Sequence, residues 1–164
     1  MNTYGPPLDV TFHNLCPGSP CKYRDFVSVF MNTYENSCLN DVKLFPDARR
    51  CIEHLHGDGC TMGIVSNSYM PQIVEILLKL GVNGMFASVV GRDRVGFAKP
   101  DPEPVLLCMS EMGAEPERTV MTGDSINDIL AGKGAGVFSV LINRHGEDIS
   151  GGEYDALITS LDEL

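Results

Sequence analysis

No stretch of the 164-residue sequence approaches the roughly 20 consecutive apolar residues that a membrane-spanning helix needs. The opening segment, Met1-Asn2-Thr3-Tyr4-Gly5-Pro6-Pro7, has neither a basic start nor an apolar stretch behind it, so it does not read as a signal peptide. A cytoplasmic protein is the expectation. Cations are scarce: 12 Lys and Arg stand against 22 Asp and Glu, for a net charge of −10 and a pI near 4.7. A field of that sign disfavours nucleic acid and anionic membrane as partners. A phosphorylated ligand would need a local cation to offset it, and a divalent metal is the natural candidate. The six cysteines (Cys16, Cys21, Cys38, Cys51, Cys60 and Cys108) form no C-x-x-C pair, and Cys16 with Cys21 has no second pair at zinc-site spacing. They read as free, mostly buried thiols in a reducing compartment. Internal repeats and low-complexity segments are absent as well.

What is present is ordinary globular material, 43% apolar and 21% charged, enough for a real core. Residues 1–42 read as a short helical piece. Leu8, Phe12 and Leu15 fall at helical spacing, Cys16-Pro17-Gly18-Ser19-Pro20 breaks the pattern, and Phe26, Val29, Phe30 and Tyr34 mark a second amphipathic helix. From residue 43 the rhythm changes. Pro46-Asp47 opens a helix that Gly57-Asp58-Gly59 ends. Strands are expected over 61–65, 88–90, 119–122, 138–142 and, more weakly, 156–158. The helices between them include one with Ile73, Ile76, Leu77 and Leu80 on a single face, stopped at Gly81. Such alternation predicts an α/β fold with an open parallel, Rossmann-like sheet, whose site lies at the carboxyl ends of its strands.

Three strand ends carry chemistry. Ser66-Asn67-Ser68 follows the first. Its short donors suit an anionic oxygen, and they equally suit capping of the next helix. Phe97-Ala98-Lys99-Pro100-Asp101-Pro102 follows the second. Lys99, confined by prolines, can neutralise phosphate or hold a carboxylate ionised, although most loop lysines are merely solvated. Gly123-Asp124-Ser125-Ile126-Asn127-Asp128 follows the third. Two carboxylates four apart across a strand-to-helix turn suit Mg²⁺, and an aspartate at a helix start also serves as a cap.

Taken in order, Val65-Ser66-Asn67, Lys99-Pro100-Asp101-Pro102 and Gly123-Asp124-Ser125-x-x-Asp128 with Ala131-Gly132-Lys133-x-Ala135-Gly136 resemble the second, third and fourth motifs of the haloacid dehalogenase superfamily. The upstream stretch Gly5-Pro6-Pro7-Leu8, Tyr34-Glu35-Asn36 and Leu44-Phe45-Pro46-Asp47 is similar to the later part of the small helical cap in its phosphoglycolate phosphatase group. The resemblance implies a partial cap over 1–42 and a core over 43–164. It also implies Mg²⁺-dependent hydrolysis of a small phosphorylated metabolite, such as 2-phosphoglycolate, through an aspartyl-phosphate. Carried over by motif, Ser66 and Asn67 bind a phosphoryl oxygen and Lys99 offsets charge on phosphate and nucleophile. Asp124 ligates Mg²⁺, and Asp128 holds the ion through water or positions Lys99.

The family's first motif, D-x-D-G-T, has no counterpart in these residues. The nearest string, Leu8-Asp9-Val10-Thr11-Phe12, carries one aspartate on an expected helix, so Asp9 is not read as the nucleophile. In the family the strand bearing that motif lies mid-sheet, between the strands ending at Ser66 and Asp124. Its absence predicts two open edges that close on each other or take up another segment or chain, with homo-oligomers as one outcome. Two readings follow: a phosphatase lacking its nucleophile segment, or a non-catalytic phosphate- or Mg²⁺-binding relative that works through protein–protein contacts. A chance match by another doubly wound binding module is disfavoured by the combined motifs.

Overall fold

A computed structural model describes residues 8–33, 41–146 and 153–164. Tyr34, Cys38, the Gly151-Gly152 turn and the 5–7 and 34–36 parts of the cap resemblance lie outside the described residues. The chain forms two compact units, Met1–Lys43 and Leu44–Leu164.

In the first unit, α1 (Leu8–Leu15) and α2 (Tyr23–Thr33) occupy the segments the apolar spacing predicts. Phe12 joins them, with its ring centroid 5.5 Å from Tyr23 and 5.2 Å from Phe26. Asp9 lies in the first turn of α1, and its carbonyl faces His13 Nδ1 at 2.7 Å.

The second unit alternates helix and strand: α3 (Pro46–Gly57), β1 (Gly63–Val65), α4 (Met70–Leu80), β2 (Ser88–Val90), α5 (Glu103–Met112), β3 (Val120–Gly123), α6 (Ile126–Gly134), β4 (Phe138–Ile142) and β5 (Ala156–Ile158). Local chemistry sets the ends. Pro46 starts α3, where its missing N–H costs nothing. Gly81 and Gly113 close α4 and α5 in the left-handed region, at φ 71° and 62°. Ser125 caps α6 by accepting from Asp128 N. β1 is shorter than the predicted 61–65 and begins at Gly63, where an added Cβ would lie 2.4 Å from Cys108 Sγ.

The strands are parallel, as alternation requires, and form two sheets. β1 pairs with β2, Ile64 opposite Val89. In the other sheet β4 lies between β3 and β5, with Thr122 opposite Val140 and Leu141 opposite Leu157. Among the described residues β1 and β3 share no ladder, so the two expected edges have not closed on each other. Ala87 N donates to Met62 O and Ser66 N to Val90 O, which turns residues 62, 64 and 66 toward β2. By alternation, the backbone groups of Gly63 and Val65 face the other edge. Phe138 N donates to Thr119 O, so those of Val120 and Thr122 likewise face away from β4. Both strands nevertheless contribute to one core: Val65 and Met121 pack against Val105 and Met109 of α5 and Ala131 of α6. A second cluster, Ile73, Leu77 and Val82, holds α4 beneath β1 and β2 through Ile64 and Val89.

Buried Asp47 locks α3 to the far end of the unit. Its Oδ2 accepts from Arg144 Nη1 at 2.6 Å, Leu161 N at 2.8 Å and Ser160 Oγ at 3.2 Å. The Leu161 amide, with the Arg144 guanidinium, holds this carboxyl well below the usual range despite burial. Arg144 also lies over the Phe45 ring, 4.4 Å from its centroid.

Candidate functional site

The site forms where β1 and β3 end. Ser66 is still held in the sheet through its N–H, and its Oγ accepts from Ser68 N at 3.1 Å. Helix α4 starts only at Met70, behind the N-cap Tyr69, so neither Ser66 nor Asn67 caps it. The capping alternative therefore fails for this pair. Asn67 turns its amide to the next loop: Nδ2 donates to Lys99 O at 3.1 Å, and Oδ1 accepts from Lys99 N at 3.0 Å.

Lys99 is buried to its tip. Its Nζ donates to Val65 O at 2.9 Å and to Asp128 Oδ1 at 2.5 Å, and the two side chains are only 10% and 8% exposed. Val65 O is one of the groups on the open edge of β1, so the ammonium caps that edge and reaches the start of α6. Asp128 Oδ2 accepts from Ser125 N at 3.1 Å and Ser125 Oγ at 2.7 Å. Both oxygens of Asp128 are thus engaged within the protein. Gly123 makes room for this fold-back, because a Cβ there would lie 2.2 Å from Asp128 Cβ. Asp124 is different. It is exposed, at the turn between β3 and α6.

The loop carrying Lys99 is braced from α5. Glu103 Oε1 accepts from Gly96 N at 2.9 Å and Oε2 from Phe97 N at 2.8 Å, and these amides hold the Glu103 carboxyl below its ordinary value. Arg94, on the same loop, forks onto Glu111 at 2.5 and 3.2 Å, and Ser88 Oγ donates to Glu111 Oε2 at 2.6 Å. Neither brace was expected from the sequence. The one available signal for Glu103 was an acid in the first turn of a helix, beside a glycine-containing loop.

Lys99 thus joins three of the expected segments: its main chain meets the Asn67 amide, and its ammonium meets the carbonyl of Val65, next to Ser66, and the Asp128 carboxylate, with Asp124 at the turn before α6. The Lys99 ammonium has two of its three N–H groups engaged, which leaves one to donate elsewhere. Among the described residues no group of three or more His, Cys, Asp and Glu side chains forms a metal cage. Mg²⁺ needs no such cage: one or two carboxylates suffice, with water and a substrate phosphate completing its shell. Asp124, a hard oxygen donor left exposed, fits that requirement.

Residues 1–142 match the model of the haloacid dehalogenase-like hydrolases, and the chain belongs to this family. Among characterised relatives it is 38% identical, over 124 residues, to phosphoglycolate phosphatase of Salmonella paratyphi A, covering 74% of this chain and 49% of that protein. It is 35% identical over 134 residues to the pyrophosphatase PpaX of Oceanobacillus iheyensis, covering 81% and 61%. The chain therefore spans about half to three-fifths of the length of these relatives. In structure it is similar to a haloacid dehalogenase-like hydrolase from Bacteroides fragilis, with a TM-score of 0.87, 26% identity and coverage of 98% of this chain and 79% of the other. An HAD phosphatase from Thermococcus onnurineus gives a TM-score of 0.72 at 28% identity, covering 94% and 67%. The α/β fold and the phosphatase resemblance are established together. No helix among the described residues is long and apolar enough to cross a membrane.

Proposed function

We propose that this chain carries the phosphate- and metal-binding half of a cytoplasmic, Mg²⁺-dependent phosphomonoester hydrolase acting on a small phosphorylated metabolite, with 2-phosphoglycolate as the first candidate. One observation carries the reading: the Lys99 ammonium, fixed between Val65 O at the end of β1 and Asp128 Oδ1 in the first turn of α6, makes a cationic corner there. Phosphoryl transfer is mostly positioning and charge stabilisation, which is what such a corner supplies. Ser66 Oγ accepts from Ser68 N and retains its own proton to donate to a phosphoryl oxygen. Lys99 offers its remaining N–H to the same group. Asp124 would be the direct ligand of a magnesium ion, which would supply the local positive charge that a chain of net charge −10 lacks. Asp128, with both oxygens engaged, serves here chiefly to hold Lys99.

An aspartyl-phosphate route also needs an acceptor carboxylate, and D-x-D-G-T does not occur in the 164 residues. The open edges of β1 and β3 favour a source. An extended segment seated between them, from this protein or a second copy, brings an aspartate to the end of the strands beside Lys99. The same edges support the second reading, a phosphate-binding relative that acts by strand pairing with a partner.

The test is phosphate release from p-nitrophenyl phosphate and 2-phosphoglycolate with Mg²⁺ or with EDTA, beside Asp124→Asn, with oligomeric state followed by sedimentation. Metal-dependent turnover that Asp124→Asn abolishes supports the hydrolase. Phosphate binding without turnover, in a folded sample to which a D-x-D-G-T strand peptide has been added, favours the binding relative. Absence of both binding and turnover sinks the reading altogether.

A further inference from the structure

The geometry points to Asn67 as the positioning residue for Lys99. Its carboxamide meets the main chain of Lys99 at two points, donating from Nδ2 to the carbonyl and accepting at Oδ1 from the amide, across 32 positions of sequence. The orientation of the amide is dictated by its partners, because a backbone N–H can only donate and a carbonyl can only accept. Two further bonds complete the arrangement: Lys99 Nζ to Val65 O, two residues before Asn67, and Lys99 Nζ to Asp128 Oδ1. Main chain and side chain of Lys99 are therefore fixed separately, and Asn67 does the former. With its backbone held, the flexible four-carbon stem of a lysine spends less freedom on reaching one place.

Asparagine is the side chain this task needs. Aspartate is nearly isosteric and still accepts from Lys99 N, but its second oxygen faces the Lys99 carbonyl, acceptor against acceptor. Serine is too short to meet both groups. Glutamine adds a methylene and shifts the pair. The amide oxygen and one Nδ2 proton are thereby committed to residue 99, which makes fixing the Lys99 main chain the role of this side chain.

This inference deepens the proposed function, in which Lys99 carries charge opposite the phosphate, yet it can be read without turnover. The chain has five lysines, Lys22, Lys43, Lys79, Lys99 and Lys133, so a ¹H–¹³C spectrum of lysine ε-methylenes is sparse. Lys99→Met assigns the Lys99 signal by its disappearance. In Asn67→Asp that signal alone moves toward the positions of exposed lysines, and the Lys99 amide exchanges with solvent at least about tenfold faster. Asn67→Ser is measured alongside and gives the same pattern. An unmoved Lys99 signal and unchanged amide exchange would overturn the assignment. So would all five signals moving together, or loss of fold in both variants, since either marks a general structural role. A wild-type chain that releases no phosphate would defeat the proposed function and leave this test intact.

Discussion

Gly123 and Asp128 compete for one space: a Cβ on Gly123 would lie 2.2 Å from Asp128 Cβ and 2.3 Å from its Cγ. The glycine is what allows Asp128 to fold back over the end of β3 and meet Lys99. The φ of Gly123 is not in the left-handed region, so the requirement is for space and not for backbone freedom.

Gly123→Ala therefore displaces the first turn of α6. The expected cost is about 1–3 kcal/mol, the usual range for overpacking against atoms that cannot move freely. Urea unfolding measures it. A wild-type midpoint in the variant would mean that the turn yields without strain.

The Lys99–Asp128 pair is almost wholly buried, and its members differ in what their loss leaves behind. Asp128→Leu strands an ammonium without its counter-charge and also removes the acceptor for Ser125. We expect a loss of about 3–5 kcal/mol. Lys99→Met with Asp128→Leu removes both charges and should cost less than Asp128→Leu alone, because uncompensated burial is the expensive state. A double-mutant cycle decides, and simple additivity would show the pair to be uncoupled.

Stability should fall on acidification. Asp47, Glu103, Glu111, Asp155, Asp162 and Glu163 all have lowered pKa values, through the Leu161 amide, the Gly96 and Phe97 amides, the Arg94 guanidinium, the Lys133 ammonium, the Arg50 guanidinium and the Thr159 amide respectively. A carboxyl lowered in the folded state binds its proton more readily when unfolded. Its contribution is present above the unfolded value, about 3.9 for Asp and 4.3 for Glu, and disappears as pH drops through the folded value. Denaturant midpoints should decline from about pH 5 downward, and Glu103→Gln should flatten part of that decline. A profile level to about pH 3 would count against these contacts.

Thiol labelling of the native chain should separate the cysteines. Cys21 and Cys60 are exposed and should react first. Cys108, on α5, is buried against Gly63 of β1, and burial raises its pKa, so little thiolate is available. It should react only on unfolding, and rapid native labelling of Cys108 would show that this face opens.

Elements were legible where the signal was local. Ile73 and Leu77 at helical spacing with Gly81 behind them defined α4, and the apolar run before Ser66 gave β1, though two residues too long. The meeting of Lys99 with Asp128 was legible only as a set of strand ends in a parallel sheet. What escaped was the direction of individual side chains. Asn67 follows a strand and suits an anion, but its pairing with the Lys99 backbone is named by nothing in the neighbouring sequence. Asp47 looked like a helix-start acid because it is one, and its bonds to Arg144 and Leu161 depend on tertiary packing. Glu103 is the same case at shorter range.

The Asp47 anchor bears on how the chain is made. Its partner Leu161 lies 114 positions downstream, so the contact cannot exist until that much more chain has been synthesised. At ribosomal speeds of about 5–20 residues per second, α3 waits roughly 6–23 s for the group that fixes it. During that interval its carboxylate is solvated, and its apolar face must rely on α4 and the turn after it. The unit therefore cannot be locked helix by helix as it emerges, because the anchor of its first helix waits for its last described segment.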